Sequence, residues 1–481
     1  MKSLKRISAM VMSSVLALSA MPLTAVSAED TPAAEEVKTQ IVFDGTKITG
    51  SGEGVTVEGS KVTITHSGSY EFSGTLDDGQ IVVNIPDEKA DAETVKLYFK
   101  GMKLTGKTAA PVYVINAENT SINLVENTEN FLADGAFYDE TATGTSAVIY
   151  AKDDITIKGE GSLRVDAAYN YGMFCNNDIK ITGGTLKFKV EGTPADTSAT
   201  AEKRGDAIRA KKSVTVKGGK TDINAEGDGL KSTKGDVIFS DGEAEIKAGN
   251  DAVQAETSLQ IAGGKLKANG DRGLTCQNGK ISISGGSVCA TATDNNPANV
   301  EATQTVVMFH LTEEVPKDNV ISLEQRSASS AVMTTPEGGT ATGYASSQTG
   351  ILNFNPDKKF SYLLLSDAEI KSGEKYYLSI GEKDAKIGDA DSFTVAETIS
   401  SFDNVKPDLA AAAVTFKKGD VNGDQNVTIS DAVLLARITA EDATLVLTNG
   451  ETDRADVDGS GLIDADDLTL LLRTLAGLVK E

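Results

Sequence analysis

The chain has 481 residues, enough for two to four domains, and carries 46 Lys+Arg against 70 Asp+Glu, a formal charge of −24. That balance argues against nucleic acid and anionic membrane surfaces as partners. With two histidines (His66 and His310), three cysteines and no tryptophan, it also argues against zinc sites, histidine-based triads, a disulfide scaffold and tryptophan sugar platforms.

Residues 1–28 read as a signal peptide. Lys2, Lys5 and Arg6 precede the apolar run "ISAMVMSSVLALSAM", and "AVSA" ends in small residues at Ala28. No later stretch has the roughly 18 apolar residues that a membrane helix needs. The expectation is an exported protein of the cell exterior or cell surface, without membrane insertion, in which residues 29–40 lead into the first domain. Cys175, Cys276 and Cys289 form no C-x-x-C pair and read as small apolar side chains.

From residue 41 to 305 a repeat governs the chain. "ITGGTLKF" (181–188), "VKGGKTDI" (216–223), "FSDGEAEI" (239–246), "IAGGKLKA" (261–268) and "ISGGSVCA" (283–290) recur. From Gly218 to Asp241 is 23 residues, and then 22 to Gly263 and 22 to Gly285. The 35 residues between Gly183 and Gly218 fit one repeat plus the insertion at 192–204. Alternation with period two around the glycines predicts short strands with one buried face. Strands so short need stacked neighbours, which predicts a right-handed parallel β-helix, mostly β, with coils of about 22 residues.

A second series lies in register with the first: "GDAIRA", "GDGLKS", "NDAVQA" and "DRGLTC". It predicts a column of Asp206, Asp228, Asp251 and Asp271 in strands stacked about 4.8 Å apart. Like charges that close need either bridging cations, which would make a calcium row, or turns in which each aspartate caps backbone amides. Three residues after each of the first three aspartates stand Arg209, Lys231 and Gln254, and Thr275 follows in the fourth copy. Alignment of the earlier strands adds Tyr113, Tyr150 and Phe174 to this stripe. Aromatic faces can stack on sugar rings, and Arg, Lys and calcium can hold uronate carboxylates; Tyr and Phe also simply suit a strand surface.

These turns and "ITGGT" strands resemble a family of secreted carbohydrate-binding proteins similar to polysaccharide lyases, over roughly residues 41–380. The resemblance implies a parallel β-helix with bound calcium. It also implies that residues 306–400, with "ISLEQRSASSAV" and "YLLLSDAEIKSGEKYYLSIG", form a β-rich cap over its open end. Residues 401–416, with Pro407 and "LAAAA", read as a linker.

Residues 417–481 hold two acidic loops. A calcium loop offers oxygens at positions 1, 3, 5, 7, 9 and 12. The first places Asp420, Asn422, Asp424, Asn426, Thr428 and Asp431 there; the second places Asp456, Asp458, Ser460, Leu462, Asp464 and Asp467. An apolar-patterned helix follows each loop. Asp at position 12, no entering helix and the tandem arrangement resemble a type I dockerin, a module that folds on calcium and plugs into a cohesin module of a scaffold protein. The resemblance implies cohesin contacts at Ile429, Ser430, Ala465 and Asp466. Arg437 and Arg473, each six residues past its loop, are matching basic candidates.

Together these features predict a cellulosome-type component that binds plant cell-wall polysaccharide, cellulose or polyuronate. The alternative is a calcium-dependent polyuronate (pectate) lyase on the same scaffold. No unique motif fixes a catalytic base, so the residues lean towards a non-catalytic binder. A spacer that binds no sugar is the third reading.

Overall fold

The computed structural model describes residues 38–135, 138, 146–192, 205–317, 319–334, 340–356, 358–381, 383–407, 409, 418–422, 427–440, 454–476 and 478. The expected signal peptide, the 192–204 insertion apart from residue 192, most of the 401–416 linker's second half, Asp424 and Asn426 lie outside them.

The glycine repeat builds the first layer. In each copy the second turn residue sits at positive φ: Gly219 (+80°), Gly242 (+93°), Gly264 (+72°) and Gly286 (+87°). A Cβ at Gly242 would stand 2.8 Å from the Gly219 carbonyl oxygen, and one at Gly264 2.5 Å from that of Gly242. Glycine is needed both for the left-handed conformation and for the close approach of the neighbouring turn. The strands then fall into parallel register, with Lys220, Glu243, Lys265 and Ser287 as successive partners.

Ten strands form one sheet, running in spatial order from Arg272–Cys276 through Asp251–Ala255, Leu230–Ser232, Ile208–Ala210, Tyr171–Cys175 and Ala147–Ala151 to Val112–Asn116 and on to Val55–Glu58. The pairings are parallel except the final hairpin of Val55–Glu58 with Lys61–Ile64. Ile208 shows why three-residue strands persist. It pairs with Met173 on one side and Leu230 on the other, and all three are buried in one core. Burying such a side chain contributes about 1.5–3 kcal/mol, which an isolated strand cannot gain.

The second sheet has nineteen strands and corrects the predicted architecture. Val95–Gly106 pairs with Thr120–Leu124 along its first half and with Glu129–Asp134 along its second. Val214–Ala225 likewise pairs with Ile179–Ile181 and then Thr185–Val190. Ile155–Gly159 and Ser162–Ala167 complete the links. These eight strands close a circuit in which every pairing is parallel, an eight-stranded barrel in its hydrogen bonding rather than the expected right-handed β-helix. The physical reason is the corner. Gly101 (φ +68°) and Gly219 bend the two long strands without ending them, so adjacent faces share one hydrogen-bonded sheet. Inward side chains of both sheets meet in a common apolar core.

Past residue 305 the pairing turns antiparallel. Phe360–Ser366 lies between Lys280–Ala292 and Val306–Val315, over a second apolar cluster that includes Phe309, Leu363, Leu365 and Tyr376. At the C-terminus α1 (Ile429–Thr439) and α2 (Ala465–Leu475) pack around Val421, Ala432, Leu435, Ala455 and Leu471. Each helix starts in a capping box, Thr428 with Asp431 and Asp464 with Asp467.

Candidate functional site

The two acidic loops repeat one geometry. Asp431 accepts the Asn422 amide at 3.0 Å and the Thr428 amide at 2.8 Å. Asp467 accepts the Asp458 amide at 3.1 Å and the Asp464 amide at 2.9 Å. The last acid of each loop thereby ties the helix start to position 3, and both acids are fully buried. In the second loop Asp456 takes the Gly461 amide and Asp458 the Ser460 amide. Asp456, Asp458 and Asp467 each bring one oxygen within 4.8 Å of the others. Burial, then the charges of Asp458 and Asp456, pushes the Asp467 carboxyl up from the usual range. The other carboxylate oxygen of Asp456 is buried without a hydrogen-bond partner among the described residues. Repelling carboxylates around an orphaned oxygen are the donor set that a hard cation would satisfy.

Around the loops the surface changes character. Among the described residues seven large apolar side chains are exposed, and six belong to this module: Ile429, Val433, Leu462, Leu472, Leu475 and Leu478. The predicted contact residues Ser430, Arg437, Ala465, Asp466 and Arg473 are also exposed. Exposed apolar side chains and charged residues thus alternate along α1, the second loop and α2.

The stripe predicted on the β domain lies in one row. Tyr113, Tyr150, Phe174, Arg209, Lys231, Gln254 and Thr275 are successive partners across the ten-stranded sheet. Its aromatic end is a satellite core. Tyr113 and Tyr150 stack at 5.0 Å and Tyr150 meets Phe174 at 5.8 Å, all buried beside Tyr138. Tyr138 donates to the Ala147 carbonyl and stacks on Tyr169. The three rings are therefore less available to a sugar than the sequence suggests.

The polar end is organised by the aspartates. Asp206 accepts the Asp228 amide at 3.0 Å, and Asp228 accepts the Asp251 amide at 2.9 Å. The second oxygen of each finds the stripe residue three positions on: Arg209 at 2.8 Å, Lys231 at 2.5 Å and Gln254 at 2.8 Å. Arg272 adds a bond to Asp251 at 2.6 Å. Of the two readings of the column, this geometry favours amide capping with side-chain cations over a row of calcium ions. Asp271 leaves the column: Arg272 is the strand partner of Asp251, and Asp271 is exposed. Burial and then the neighbouring Asp228 raise Asp206, and push Asp251 up to about 6. Burial opposes the charge on Lys231, but Asp206 and Asp228 hold its ammonium above the usual range.

Arg272, which the sequence already offered with Arg209 and Lys231 as a basic candidate near the column, does meet it at Asp251; sequence reasoning missed Tyr138, Tyr169 and Tyr171 beside the aromatic row. The i, i+3 spacing shared by Asp206/Arg209 and Asp228/Lys231 was the available signal for the ion pairs. Tyr138 and Tyr169 arrive from connections, which carry no period.

A family model described as "Carbohydrate-binding domain-containing protein" matches residues 58–391. The chain belongs to that family. A second model, the type I dockerin domain, matches residues 418–476. A protein of Acetivibrio thermocellus described as "Carbohydrate-binding domain-containing protein" is 42% identical over 158 residues, 32% of this chain and 54% of the relative. The match thus spans about half that relative's length. A solved structure described as "Structure of the polysaccharide lyase-like protein from C. thermocellum, Gadolinium derivative" is 31% identical, with a TM-score of 0.44, and covers 56% of this chain and 97% of its own.

Proposed function

We propose that this is an extracellular cellulosome-type component which binds acidic plant cell-wall polysaccharide through its β domain and docks through its dockerin onto a cohesin-bearing scaffold. The observation that carries the docking half is the mirrored pair of loops, each tied by a buried position-12 aspartate and set in an exposed apolar surface. Calcium is the ion the loops suit: Asp456, Asp458 and Asp467 would hold it in the second loop, and Asp420, Asn422, Thr428 and Asp431 in the first. Bound there, it would neutralise carboxylates that otherwise repel.

For the sugar half, the polar end of the stripe is the better candidate. Arg209, Lys231, Gln254 and Arg272 offer donors in consecutive strands, a spacing suited to an extended chain with carboxylates. The family match supports a carbohydrate as the ligand class. The lyase alternative needs a basic group free to take a proton. Arg209, Lys231 and Arg272 each carry a carboxylate partner, which favours binding over elimination.

The test is to incubate the full chain with polygalacturonate and calcium while following the ultraviolet absorbance of unsaturated uronate. The proposal expects a flat trace together with calcium-dependent capture on an immobilised cohesin. A steady rise abolished by chelator would make the protein a lyase.

A further inference from the structure

Two cations on the outer face of the β domain reach the second acidic loop. Arg164, on Ser162–Ala167, donates from Nη1 to the Ser460 carbonyl. Lys187, on the neighbouring strand Thr185–Val190, donates from Nζ to the Gly461 carbonyl. The two residues are direct partners across these strands. Arg164 is fixed from below by a two-pronged pair with Asp166 and lies over the Phe131 ring, so its guanidinium is positioned before the loop arrives.

Charge and shape agree. Residues 456–467 contain five aspartates, and the charges of Asp456 and Asp458 add to that of Asp166 in holding the Arg164 guanidinium charged. Beside these contacts is a cavity of about 670 Å³. Its floor includes Lys220 and Lys267, and its walls are Ile351 and Leu352 from the β-rich segment and Leu462 and Ile463 from the loop. The lining on the β-domain side carries five lysines beside Asp222, Glu243 and Glu245, so cations outnumber acids opposite the acidic loop, and an apolar rim meets an apolar edge.

We infer that the face around Arg164 and Lys187 is a docking surface for the chain's own second acidic loop, so that the dockerin rides on the β domain as a fixed attachment. Ile429, Ser430 and Arg437 on the first loop and α1 stay exposed in this arrangement, leaving that side for a scaffold.

Small-angle scattering of the full calcium-loaded chain tests this, comparing wild type with Arg164→Glu/Lys187→Glu. Docking predicts one compact body for the wild type. It predicts a larger maximum dimension for the variant, by no more than the roughly 35 Å that ten fully extended residues between the two domains can span. Circular dichroism checks that the variant is folded. Lys187→Glu alone is the second variant, because it leaves the Arg164–Asp166 pair in place; docking predicts a smaller shift in the same direction. A wild type that already scatters as two tethered bodies, or folded variants with unchanged dimensions, would overturn the inference.

Discussion

The Asp228 carboxylate accepts the Asp251 amide at 2.9 Å and holds the Lys231 ammonium with its other oxygen. One side chain thus joins two neighbouring strands and, together with Asp206, neutralises a half-buried cation. Removing it would leave a buried amide without an acceptor and a cation without its nearest partner. Asp228→Ala is expected to lower unfolding stability by about 3 kcal/mol, read from denaturant midpoints. A loss below about 1 kcal/mol would mean that water reaches the column freely.

Asp251 makes the same column sensitive to pH. Its carboxyl is raised from 3.8 in the unfolded chain to about 6 in the fold, so the folded state binds the extra proton between these values. Stability from this group is fully present below pH 4 and is lost as pH rises to 6, by a total of about 3 kcal/mol. Thermal melts across pH 4–6 should show that downward trend, and Asp251→Asn should flatten it.

The turn glycines predict a backbone effect. Gly242 has φ +93° and no room for a Cβ against the Gly219 carbonyl. Gly242→Ala is expected to cost about 2 kcal/mol in melting experiments, more than a surface glycine in an open turn. Gly45 (φ +67°) has nothing within 4 Å of its Cβ position and supplies the control, where only the conformational penalty applies.

For the dockerin, chelation separates the two domains' stabilities. Removing calcium should melt α1 and α2, seen as lost helical ellipticity, while the β signal persists. Asp467→Ala should weaken calcium binding at the second loop more than tenfold, because Asp467 fixes both Asp458 and Asp464 and stands with Asp456 and Asp458 in one cluster of carboxylate oxygens. Unchanged ellipticity in chelator would exclude a calcium-folded module.

Periodicity made the strands and the stripe legible: the register Arg209–Lys231–Gln254 follows from alternation with period two and a repeat of 22 to 23 residues. The acidic loops were legible because ligand spacing is a property of local chain geometry. Closure of the larger sheet was not. A glycine bend such as Gly101 reads in sequence like a turn that ends a strand, and only the pairing shows that hydrogen bonding continues through it. The burial of Tyr113 and Tyr150 escaped notice for a related reason. Tyr138 lies in a connection with no repeat to place it, yet it packs against these rings. Whether Asp206 meets an ion or an amide was equally undecidable from spacing alone, since both uses need the same aspartate at the same turn.

If the polar end of the stripe holds an acidic polysaccharide, the full chain should be slowed in affinity electrophoresis through gels containing polygalacturonate. Strong retardation of the wild type is expected, and at least a tenfold weaker effect for Arg209→Ala/Lys231→Ala with the fold verified by circular dichroism. A wild type that migrates as in an empty gel, or a folded double variant retarded as strongly as the wild type, would contradict it.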